Sequence, residues 1–155
     1  MPKPAWYVAE NRHDPTPLPD LFVSVLLPDL AGQFGEHTHP GPAHTAAALT
    51  IALEMAGHVG RAVAARHLPT DEHELDRLVV GLNHLAAQLA QTLQRLAYHA
   101  DRQELPGLHD TSVDQAAAVT TSLAHAGLYS ELAAGHLKEA RLILVKHHLA
   151  THPTA

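Results

Sequence analysis

Histidine is the residue with the most chemical potential in this chain, at fifteen of 155 positions. Three of the fifteen share one short stretch, EHTHPGPAHT, which sets His37, His39 and His44 around the turn Pro40-Gly41-Pro42. A residue before proline is biased towards extended backbone, so the i, i+2 pair His37 and His39 falls on one side of the chain. His44 follows a rigid turn that can fold it back towards that pair. Three neutral imidazoles beside Glu36 make a donor set suited to Zn2+ or a similar borderline divalent ion. A divalent metal held by His37, His39 and His44 is therefore one expectation. The plainer reading is a solvated hinge: H-x-H is a short motif, no distant fourth ligand stands out, and a helix N-terminus disfavours a charged imidazole.

The remaining histidines suggest less. His148 and His152 in KHHLATH are i, i+4, but Pro153 follows them and a polar, fraying cap is expected. His99 sits on an apolar face beside Arg95 and Tyr98, and reads as a satisfied core or rim residue rather than a catalytic one. His58, His73, His84 and His125 fall off the apolar stripes. Collectively, fifteen added protons would move the formal charge from −6 to +9, so an interface bearing several of them should weaken as pH falls through about 6.5.

Other catalytic patterns are missing. There is no H-E-x-x-H, G-x-S-x-G, Walker A or G-x-G-x-x-G motif. A di-iron bundle needs Glu-x-x-His on two helices, whereas Glu54 and His58 are i, i+4 and no other helix matches them. The absence of cysteine excludes thiolate and disulfide chemistry. Nothing here argues for an enzyme.

The elements that must position these residues follow from composition. Apolar content comes mainly from Ala and Leu, strong helix formers, which predicts an all-α fold of a single domain. Ten basic residues against sixteen acidic ones, with no basic block, argue against a nucleic-acid partner. No stretch nears the roughly 20 apolar residues of a membrane span, and no secretory signal is visible. A soluble, cytoplasmic protein with no membrane partner is expected.

Eight of eleven prolines precede residue 43, so residues 1–41 read as an ordered, partly extended arm whose aromatics (Trp6, Tyr7, Phe22, Phe34) pack on a helical body. Within it, residues 21–27 fit a strand or a helical turn equally. The body, residues 42–150, reads as an antiparallel bundle of three long helices, the last either continuous or broken into two at Gly127 or Gly135, with residues 151–155 as a frayed tail. The first helix starts at Pro42 with Gly41 as cap and runs to about His67. Thr70 or Asp71 can cap the second, and Asp71 with Glu74 has capping-box spacing. An unbroken heptad follows, with Leu75, Leu82, Leu89 and Leu96 at a, and Leu78, Leu85, Thr92 and His99 at d. Apolar residues at e widen this face to that of a bundle core. Thr111 and Asp114 offer the next cap.

The last helix ends unusually. Leu142, Ile143, Leu144 and Val145 are consecutive, so they point all round a helix and no single face accounts for them. We expect one side to meet the bundle and the other a second subunit. The predicted interface is Leu137, Leu142, Ile143, Leu144, Val145 and Leu149, in a homo-oligomer (dimer or tetramer). The expected function is thus a non-enzymatic, self-associating interaction module with room for an unidentified protein partner. The alternative is a small metal-binding protein using the three histidines of the hinge.

Overall fold

The computed structural model describes residues 25, 27–34, 41–65 and 71–151. Among them the chain forms four helices and no strand: α1 (Leu27–Phe34), α2 (Pro42–Ala64), α3 (Glu72–Asp101) and α4 (Val113–Thr151). The fold is all-α, as the composition demands. The first 24 residues of the arm, with AWYVA and most of LFVSVLL, lie outside the described residues, as does the tail beyond Thr151. One compact unit holds α1 and α2, and another holds α3 and α4.

Local chemistry sets the helix ends. Gly41 caps α2 in extended conformation and Pro42 opens it, where a missing N–H costs nothing. The helix stops at Ala64, three residues short of the expected end. Its stripe is laid bare: Leu49, Leu53 and Val63 are exposed, and α2 buries no residue. At the start of α3, Asp71 Oδ1 accepts a hydrogen bond from the Glu74 amide at 2.8 Å, which satisfies one orphan donor.

The end of α3 departs from habit. The amides of Gln103 and Glu104 donate to the carbonyls of Ala100 and His99, at 2.9 Å each. This pattern needs a left-handed residue at its centre, normally glycine. Here it is Gln103, at φ 53°, while Gly107 takes a second left-handed position at φ 86°. The cap of α4 falls one residue later than expected. Ser112 Oγ accepts from the Gln115 amide and Gln115 Oε1 accepts from the Ser112 amide, a reciprocal box. The Thr111 hydroxyl instead donates to the Leu108 carbonyl at 2.8 Å. From there α4 runs through Gly127 and Gly135 as one helix of 39 residues.

α3 and α4 form an antiparallel hairpin. Arg141 reaches Asp76, Asn83 reaches Ala134, and Gly127 lies against Ala90. Each step of seven along α3 is thus a step of seven back along α4. The seam is built from small residues: Ala87, Ala90, Ala97 and Ala100 are buried on α3, with Ala116, Gly127 and Ala134 on α4. Small side chains let the backbones approach. A Cβ on Gly127 would stand 3.2 Å from Gln94 Cγ and 3.5 Å from the Ala90 carbonyl.

The leucine heptad of α3 is not the stripe that closes this hairpin. Leu82, Leu89 and Leu96 each immediately precede a seam residue, which places them about 100° away round the helix, and Leu85 lies farther still. They remain 37%, 50%, 38% and 49% exposed. Burying a methyl group contributes about 0.8 kcal/mol, so an alanine seam stabilises the hairpin less than a leucine seam would. The hairpin therefore keeps its largest apolar side chains for something else.

Candidate functional site

Polar contacts lock the hairpin at three levels. Asn83 is fully buried and its Nδ2 donates to the Ala134 carbonyl at 2.6 Å. Buried amides of this kind fix register, because any slip leaves the amide unpaired. Two helical turns away, Arg141 forks onto Asp76, with Nε to Oδ1 at 2.7 Å and Nη2 to Oδ2 at 3.3 Å. The pair is largely shielded, at 13% and 26% side-chain exposure, so it is screened less than a surface ion pair. Towards the turn, Gln94 Nε2 donates to Glu131 at 3.2 Å.

At the closed end, Glu104 uses both carboxylate oxygens. Arg102 Nε donates to Oε1 at 2.6 Å, and His99 Nδ1 lies 2.7 Å from Oε2. A carboxylate only accepts, so Nδ1 carries the imidazole proton. The hydrogen bond from Arg102, then that from His99, holds the Glu104 carboxyl below its ordinary value. Arg102 also stacks over Tyr98, 5.5 Å from the ring centroid. His99 thus serves as a clamp on the turn.

The metal expectation can be followed only in part. His37 and His39 lie outside the described residues. His44 is exposed on the first turn of α2. Among the described residues, no group of three or more His, Asp or Glu could hold a metal ion. His136 lies 3.3 Å from Glu139 and His147 lies 3.7 Å from Glu72.

The predicted interface segment lies on the second half of α4. Leu137 and Leu144 are half-buried, whereas Leu142 is 52% and Ile143 68% exposed and Val145 is also exposed. The side chain of Leu149 lies outside the described set. Leu142 continues a strip the sequence reading passed over: Leu128, Leu132, Gly135, Glu139 and Leu142, at alternating spacings of four and three. With Glu131, His136 and Lys138 these line an open groove of about 520 Å3. Gly135 is among its lining residues, and a Cβ there would touch nothing within 4 Å. Such a surface offers apolar contact with a charged rim and no reactive constellation, which suits it to binding rather than to bond-making.

Among the described residues, no helix is long and apolar enough to cross a membrane. No family model, curated protein or solved structure matches this chain.

Proposed function

We propose that this chain is a non-enzymatic, soluble and cytoplasmic helical interaction module that self-associates through the C-terminal half of α4. Its oligomer is a dimer or tetramer. The observation that carries this reading is the exposure of Leu142 and Ile143 beside the apolar groove of Leu128 and Leu132. Clustered apolar surface of this kind is a cost in water unless another surface covers it. Leu144, turned inward, would anchor the same segment to the hairpin. The finer architecture proposed is an antiparallel bundle of three long helices, with the proline-rich arm packed alongside.

Ile143 is the clean probe, because α3 does not shield it, whereas Leu144→Glu would also disturb the hairpin. Ile143→Glu should halve the sedimenting mass at micromolar concentration and leave the far-ultraviolet circular dichroism unchanged. An unaltered mass would show that this segment is not the contact.

A further inference from the structure

The leucine face of α3 calls for a partner that the hairpin does not supply, and its flanking charges say which. A third helix lying in the cleft would meet α3 roughly 60° from the seam, along the line of Val79, Ala86 and Leu93. Leu85 and Leu89, each about half exposed, lie roughly 80° farther round. They face away from any cleft helix.

Antiparallel coiled coils pack the a residues of one helix against the d residues of the other, and bring their g positions together. On α3 that rule matches Leu78 with Leu96 and Leu85 with Leu89 of a second copy, each pair occurring twice about a two-fold axis near residue 87. Leu82 meets Thr92 in the layer between. The g positions are Glu74, Gly81, Gln88 and Arg95. Antiparallel self-pairing therefore sets Glu74 of each copy against Arg95 of the other. A parallel pair would waste both charges, because the e positions opposite them are Val79, Ala86, Leu93 and Ala100. Arg77 lies at c, outside the contact.

We infer that the occupant of this face is a second copy of the chain, joined antiparallel through α3. The contact is separate from the one at the end of α4 and does not depend on it. Two distinct two-fold contacts close into a tetramer when their axes intersect at right angles, and either contact alone gives a dimer.

The experiment combines sedimentation with cross-linking. Leu85→Glu should halve the mass of the full chain, Ile143→Glu should do likewise, and the double variant should be monomeric. Since the chain has no cysteine, Gln88→Cys introduces a single thiol at an exposed position beside the axis. A short thiol cross-linker should convert most of that variant to covalent dimer. Asp110→Cys, exposed on the turn some 30 Å from the axis, should give only background. If Leu85→Glu fails to fold, the cross-link decides by itself. A mass unchanged by a folded Leu85→Glu, or cross-linking at 88 no better than at 110, overturns the inference. If only Ile143→Glu is silent, the α4 contact is lost and this one stands.

Discussion

Asn83 offers the sharpest test of how the hairpin is held. Its amide is wholly buried and donates to a backbone carbonyl at 2.6 Å. Asn83→Asp keeps the shape and replaces the donor with an acceptor facing that carbonyl. The lost hydrogen bond costs about 1 kcal/mol. Burial then pushes the new carboxyl upwards in pKa, by as much as 3–5 units for a fully buried group. A rise of only 2 units adds about 2.7 kcal/mol at any pH well above the raised value. The sign follows from proton binding. The folded variant binds the proton more tightly than the unfolded chain, so this penalty is absent below about pH 3.9 and grows as pH rises through the folded value. Asn83→Ala loses the hydrogen bond and leaves a small void, for roughly 1–2 kcal/mol at every pH. Urea unfolding followed at 222 nm should therefore separate the two variants by roughly 2 kcal/mol at pH 7 and bring them together near pH 3.5. Equal stabilities at pH 7 would mean that water reaches residue 83, and the closed small-residue seam would be wrong.

Three further outcomes follow from single groups. Gln103 holds a left-handed conformation at a helix C-terminus, so Gln103→Gly should stabilise by about 0.5–1 kcal/mol, contrary to the usual effect of glycine. Thr120 Oγ1 is buried with no hydrogen-bond partner among the described residues, and Thr120→Val should raise stability by about 1 kcal/mol, seen as a higher Tm. Glu104 is held below its ordinary pKa by Arg102 and His99, so its stabilising effect is full above about pH 4.5 and is lost as pH falls through the lowered value. The Tm gap between wild type and Glu104→Gln should accordingly be present at pH 7 and close once pH falls below that lowered value.

Particular residues show how much of this was legible beforehand. Gly41-Pro42 and the Asp71–Glu74 pair announced their helix starts because capping depends on chemistry only a few residues apart. The leucine heptad was equally plain, but its role was not. Periodicity weighs large side chains, whereas α3 and α4 close on methyl groups and one amide, where what counts is how near two backbones can come. The heptad of small residues containing Asn83, Ala90 and Ala97 was visible in principle, one residue behind the leucines. Gly127 and Gly135 left open whether α4 is one helix or two, because glycine is a poor helix former. In fact Gly127 marks the close approach to Ala90, and Gly135 lines a groove. The Asp76–Arg141 fork joins residues 65 apart in sequence, and no local pattern reports such a pair. The three hinge histidines share a motif, yet only His44 falls on the described chain.

The most direct measurement of self-association is native mass spectrometry of untagged chain, purified without metal-affinity resin, before and after EDTA. The expected spectrum is a metal-free dimer or tetramer that EDTA leaves intact. A monomer across the micromolar range would contradict self-association, and a stoichiometric metal removed by EDTA would return the function to His37, His39 and His44.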